Sequence, residues 1–310
     1  RSRPGRCAQA GARDRRRSSG PMSLEGGVVL AVLCGALLHA GWNALIKSAA
    51  DKALDTALIH SLGCVAALPL LAIAGLPAAA AWPYIAASTV VHIGYYAALA
   101  GAYRHGDLGL TYPVMRGCAP LLVALCSQPF IGEALSGRAW WGVAGICSGV
   151  LLLGLSPANL QGGGHRGKAL RFALANAAII ALYTVIDGLG VRASGNAMGY
   201  VAALFLFDGL PYLLLVLHQR KGEDERRAAL RYMAGRWRIA ALGTAASLGS
   251  YGIALWAMTR APVAAVAALR ETSVLFAAVM GTLWLREPFG VQRAMGTAVI
   301  LAGVAALRFG

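Results

Sequence analysis

Residues 263–284 read VAAVAALRETSVLFAAVMGTLW, and residues 108–128 read LGLTYPVMRGCAPLLVALCSQ. Each stretch has the roughly 20 residues that an α-helix needs to cross about 30 Å of hydrocarbon. The first carries only Arg270 and Glu271 as charged side chains, and the second only Arg116. An arginine deep in a span costs at least about 2.5–3.5 kcal/mol by insertion scales. It persists only where it faces a partner or a wet cavity, so these stretches predict membrane helices packed around a polar interior.

Similar apolar runs fill the rest of the 310 residues. The spans are Val28–Ile46, Asp55–Gly75, Trp82–Tyr103, Leu108–Gln128, Arg138–Leu155, Ala169–Asp187, Met198–Leu217, Trp237–Met258, Val263–Trp284 and Val291–Leu307. They predict an all-α integral membrane protein with ten transmembrane helices, because hydrocarbon offers nothing to an unpaired backbone group. Composition agrees: 58% apolar and 13% charged residues, with mean hydropathy +0.61, against about 45–50% and 25% in soluble domains. The alternating ten-residue segments of a β-barrel are absent. Gly75-Leu76-Pro77 closes span two, Gly106 and Asp107 separate spans three and four, Gly162–Gly164 follow span five, and Pro262 opens span nine. The hydrophilic connection His218–Arg236 has room for a short surface helix.

Formal net charge is +15, and removing the arginine-rich residues 1–21 leaves +9. The remaining charges flank apolar runs, which reads as membrane-bordering charge and not as a nucleic-acid surface. The tail resembles an upstream extension. The six cysteines form no CxxC pair, and no metal cluster, P-loop or nucleophile–base pattern appears. Hence no cofactor, metal or enzymatic activity is expected.

Ala97–Leu155 matches Tyr251–Phe309 at an offset of 154, which places Arg116 on Arg270, Glu133 on Glu287, Gly142 on Gly296 and Gly149 on Gly303. Residues 22–160 and 161–310 therefore form two five-helix repeats, and an odd count makes the second copy inverted, with a site between them near the midplane. Loops after the odd-numbered spans hold most of the Lys and Arg, whereas the other face holds Arg138, Arg192, Arg260 and Arg308. That puts the odd-numbered loops in the cytoplasm, although the basic tail argues the reverse.

His39-Ala40-Gly41-Trp42-Asn43 with Lys47, Tyr103-Arg104-His105-Gly106-Asp107-Leu108, Tyr112-Pro113-Val114-Met115-Arg116-Gly117, and Glu133 or Glu287 before a Gly-rich helix resemble the drug/metabolite transporter superfamily, of the ten-helix EamA type. The resemblance implies a basket of helices around a central cavity that moves small metabolites or drugs by alternating access.

The substrate-contact candidates begin with Arg116 and Arg270, whose guanidinium groups suit a carboxylate, phosphonate or phosphate; the plain alternative is that each pairs with Asp208 or Glu271 and locks helices. His39, Trp42 and Asn43 share one face of span one. His92, Tyr96 and Tyr103 form a stripe on span three, Tyr112 lies one turn before Arg116, and Thr244, Ser247 and Tyr251 stripe span eight. Tyr183 stands one turn before Asp187, a residue close to a span end where water reaches it. Asp208, Glu271 and Asp187 are the candidates for ion or proton coupling. Gly145 and Gly149 in span five, and Ala294, Ala298, Ala302 and Ala306 in span ten, form small-residue stripes suited to internal packing or a homodimer contact.

The expected function is transport of a small anionic or zwitterionic metabolite across the cell (inner) membrane. The alternatives are efflux of cationic or aromatic drugs, against which span one lacks a central glutamate, and a membrane enzyme acting on a lipid-linked substrate.

Overall fold

Among the described residues of the computed structural model, eleven α-helices follow one another: α1 Gly26–Lys47, α2 Lys52–Ala74, α3 Trp82–His105, α4 Leu108–Cys126, α5 Gly137–Gly154, α6 Arg166–Ala193, α7 Ala197–His218, α8 Glu223–Met258, α9 Val263–Arg270, α10 Ser273–Leu285 and α11 Val291–Phe309. The structure describes residues 25–105, 108–154, 166–220, 222–285 and 290–309, with side chains described there except at 96–105, 108–110, 166, 281 and 283–285. The basic tail, Gly106, Asp107, Gly162–Gly164 and Glu287 lie outside the described residues, as do the side chains of Tyr96 and Tyr103. No strand occurs among the described residues. Among the described residues, eight segments are long and apolar enough to cross a membrane. Large apolar side chains stand on their outer faces, with Ile73 80% and Trp141 77% exposed, as expected of a lipid-facing surface.

The helix ends follow the chain's punctuation. Asp51 caps α2 by accepting from the Leu54 amide at 3.0 Å, and Asn196 caps α7 through the Gly199 amide at 3.0 Å. Gly75 ends α2 at φ 79°, ψ 166°, a backbone region that only glycine enters cheaply. Pro262 precedes α9 as the sequence expects.

Two sequence expectations need correction. Span nine is not one helix: α9 stops at Arg270 and α10 starts at Ser273. The Glu271 and Thr272 amides bond three residues back, to Ala268 and Leu269, and the Thr272 hydroxyl also donates to the Leu269 carbonyl at 2.7 Å. Three consecutive polar residues tighten the ladder and break it. The connection His218–Arg236 holds no separate short helix, because from Glu223 it continues unbroken into α8. Its acidic first turn, Glu223, Asp224 and Glu225, suits a helix N-terminus.

The most extensive pairings are α5 with α11, α2 with α7, α3 with α6, and α1 with α8. Exchanging the two sets of five spans leaves this scheme unchanged, since α3–α6 becomes α8–α1 and the other two pairs map onto themselves. The α5–α11 seam is built from glycine: a methyl group placed on Gly149 lands 2.8 Å from the Gly296 carbonyl oxygen, and one on Gly303 lands 2.8 Å from that of Gly142. Small residues admit such backbone proximity. The α11 face involved is Gly296, Ile300, Gly303 and Leu307, not the alanine stripe. Ala294, Ala298 and Ala302 are exposed on the other side, because the repeat aligns glycine with glycine.

Candidate functional site

The break after α9 brings the chain's interior charges together. Arg116, on α4, places its Nε 2.8 Å from Oε2 of Glu271. The approach is off the N–H direction, so the contact is an ion pair and not a straight hydrogen bond. The Arg116 Nη2 group also reaches the Ser273 hydroxyl at 3.4 Å. Both partners are largely withdrawn from solvent, with side chains 12% and 6% exposed. Of the two readings the sequence leaves open for Arg116, internal pairing is the one seen.

Arg270 is placed differently. Its guanidinium carbon lies 5.2 Å from the centre of the Tyr251 ring on α8, within range of a cation–π contact. Among the described residues no carboxylate forms an ion pair with it. Tyr251 in turn donates its hydroxyl to Oδ2 of Asp187, a short contact, while Tyr200 donates to Oδ1 at 2.9 Å. Asp187 is 0% exposed. The expectation that water reaches it fails because α6 runs on to Ala193 and Tyr200 and Tyr251 cover the carboxylate.

Aromatic and imidazole groups complete the surroundings. His92 stacks on Tyr183 with centroids 4.4 Å apart, and Tyr95 meets the same Tyr183 ring edge-on at 6.1 Å. His92 Nδ1 lies 2.9 Å from the Ser88 carbonyl oxygen. A carbonyl only accepts, so that nitrogen carries the hydrogen. Tyr112, half-buried, stands in the field of both Arg116 and Glu271. On α1, Trp42 Nε1 donates to His39 Nδ1 at 3.3 Å and Asn43 donates to the His39 carbonyl at 2.7 Å. The charges of Arg116 and Arg270 both act on His39, and α1 packs against α9 and α10. The structure therefore gathers Arg116, Arg270, Glu271, His39, Tyr112, Tyr183, His92, Asp187 and Tyr251 in one polar region.

Asp208 belongs elsewhere. Its carboxylate lies 3.9 Å from His60 Nδ1 on α2, not beside either arginine. Thr244 is a packing residue whose hydroxyl donates to the Ile59 carbonyl at 2.9 Å. Sequence reasoning missed Tyr200, Ser88, Ser273 and His60. His60 was findable, because an ionisable residue nine positions into an apolar helix meets the test that singled out Arg116; the other three acquire meaning only from the partner they touch. Glu133 is also more than a surface residue. It accepts from Arg192 at 2.6 Å and from the Val263 amide at 2.9 Å, which ties the ends of α4 and α6 to the start of α9. Arg192 adds bonds to the Met258 and Ala261 carbonyls at 2.7 and 3.1 Å. No group of His, Cys, Asp and Glu suited to a metal occurs among the described residues.

Residues 167–309 match a protein family described as the EamA-like transporter family. No curated protein matches the chain. A solved crystal structure is similar with a TM-score of 0.71 and 17% identity, covering 92% of this chain and 98% of that one. At that identity the likeness concerns the fold.

Proposed function

We propose that this chain moves a small anionic or zwitterionic solute across the cell membrane by alternating access, with Arg270 holding the solute's negative group, because residues 167–309 match the EamA-like transporter family, a multi-pass membrane family of the drug/metabolite transporter superfamily. One observation carries the choice of charge. Under the 154-residue offset Arg116 falls on Arg270, and the next position is Gly117 in one copy and Glu271 in the other. The second copy's glutamate neutralises the first copy's arginine, and the first copy has no carboxylate to return. Arg270 thus forms no ion pair among the described residues and faces the Tyr251 ring, while Asp187 is held by the tyrosine hydroxyls. A guanidinium offers a planar fork matched to carboxylate, phosphonate and phosphate. Tyr112, Tyr183 and Tyr251 supply hydroxyls and ring faces beside it, and His39, Trp42 and Asn43 close the α1 side.

The test is a proteoliposome uptake screen of radiolabelled lactate, glutamate, methylphosphonate, inorganic phosphate, choline and a tetraphenyl cation. Uptake of at least one anion or zwitterion is expected. Arg270→Gln should weaken its apparent affinity about ten- to a hundredfold, the value of a charge-assisted hydrogen bond of roughly 1.5–3 kcal/mol. Uptake confined to the cations, or anion uptake that Arg270→Gln leaves unchanged, refutes the assignment.

A further inference from the structure

We propose that Asp187 is a proton-binding site and that Tyr251 ties its charge to the occupancy of Arg270, making the transporter a proton–anion symporter. This rests on the anion-transport reading above. The four carboxylates within the spans differ in their partners, and Asp55 is paired with Arg236 at 2.7 Å. Glu271 faces Arg116 at 2.8 Å, so a proton added there would strand a buried guanidinium. Asp208 lies beside His60. Asp187 alone is held by hydroxyl donors, from Tyr200 on α7 and Tyr251 on α8, and no cationic nitrogen among the described residues forms an ion pair with it. A hydroxyl can donate to the carboxylate or accept from the carboxylic acid, so this cage holds both charge states without repacking.

Tyr251 is the link. One side chain places its ring under Arg270 and its hydroxyl on Asp187. While Arg270 stands without an anion, its positive charge over the Tyr251 ring makes the Tyr251 hydroxyl a stronger donor and so favours the ionised Asp187. When a substrate anion neutralises Arg270, that support falls and a proton is bound to an Asp187 carboxylate oxygen; both leave together on the other side. For a monovalent anion the complex gains no net charge, so the loaded carrier crosses as cheaply as the empty one. Of the other titratable groups in this region, His92 on α3 acts on Asp187 and Asp187 acts on Tyr183 on α6, while Tyr84 on α3 acts on Tyr200 and Arg270 on Tyr251. His92 is the basic group among them whose charge acts on Asp187, and it acts on His60 as well. The step moves one proton from the aqueous phase on the loading side to an Asp187 carboxylate oxygen, and the same proton is released to the aqueous phase on the other side.

The experiment uses full-length protein in proteoliposomes with an entrapped pH dye and the same labelled lactate, glutamate, methylphosphonate and inorganic phosphate. Wild-type protein should accumulate a monovalent probe under an imposed pH gradient, with luminal acidification tracking uptake, and should ignore a potassium-diffusion potential. Asp187→Asn keeps an acceptor for the tyrosines; it should lose gradient-driven accumulation and luminal acidification yet retain counterflow, the exchange of labelled for unlabelled solute. Tyr251→Phe, which keeps the ring but not the hydroxyl, should lower the number of protons moved per solute. If Asp187→Asn fails to purify as a folded protein, that proton-to-solute ratio in Tyr251→Phe decides alone. Accumulation that survives Asp187→Asn, loss of counterflow together with accumulation in a folded variant, or an unaltered ratio in Tyr251→Phe overturns the proton site while leaving anion transport standing. Failure of every probe to move in the wild type overturns anion transport and the symport with it.

Discussion

Removing the negative partner of Arg116 should cost more stability than removing both partners. Glu271→Gln preserves shape and leaves the guanidinium, in a side chain only 12% exposed, without a counter-charge. At 2.8 Å and an effective dielectric of about 20, the gross attraction is about 6 kcal/mol. Taking both ions out of water offsets most of it, so the intact pair adds little net stability. Breaking such a pair from one side typically costs about 3–5 kcal/mol, whereas replacing both members with apolar groups of similar volume is often neutral. Four proteins complete the cycle: wild type, Glu271→Gln, Arg116→Met, and Arg116→Met with Glu271→Met. Their unfolding free energies come from dodecyl sulfate titrations in mixed micelles. Each single variant should lose about 3–5 kcal/mol and the double variant less than either, a coupling of at least about 3 kcal/mol. A coupling below about 0.5 kcal/mol, the usual error of additivity, would show that the contact is incidental and that Arg116 is as available to substrate as Arg270.

Three further outcomes follow from the packing and the ion pairs. Gly149→Ala drives a methyl group to 2.5 Å from Ile300 Cγ1 and 2.8 Å from the Gly296 carbonyl oxygen; the backbone on that side cannot step away, so unfolding titrations should show a loss of about 1–3 kcal/mol. Glu133→Gln removes the charge that faces the first amide of α9 and pairs with Arg192, and should lower stability by about 1–3 kcal/mol, read as a fall in the midpoint of thermal unfolding in detergent. Asp55, buried at 4%, receives three contacts of 2.7–3.0 Å from Arg236; Arg236→Lys loses the bidentate fork and should cost about 1–2 kcal/mol, whereas an unchanged midpoint would mark the pair as dispensable.

The architecture was legible because hydrocarbon imposes a length and a polarity on every element. The run around Val263 and the one around Leu108 each announced a crossing, and the offset that laid Gly142 on Gly296 and Gly149 on Gly303 already contained the α5–α11 seam. The alanine stripe lies outside that seam, because small size is necessary for close approach but does not say which face approaches. The break at Glu271-Thr272 was hidden for a related reason. No proline or glycine marks it, and a short polar run inside an apolar one reads as a buried patch until its hydroxyls are seen bonding backward. The interior arginines could be singled out from cost alone, but their partners could not, since Glu271 and Asp208 were equal candidates until α4 was seen against the α9–α10 break and α7 against α2.

The inequality of the two arginines has a packing origin. In the first copy the position after the arginine is Gly117, and a methyl group there lands 2.8 Å from Leu151 Cγ and 3.2 Å from the Cys147 carbonyl oxygen on α5. No glutamate fits a helix pressed that closely against its neighbour. In the second copy the equivalent residue falls in the break between α9 and α10, where the chain has left the helical path and a long acidic side chain has room to turn toward α4. Of the two arginines that the 154-residue offset aligns, one is paired with a carboxylate and the other is not, and the difference follows from where each helix is continuous. The anion reading proposed above needs a guanidinium without an ion-pair partner, and the continuity of α4 at Gly117 is consistent with Arg270 filling that part.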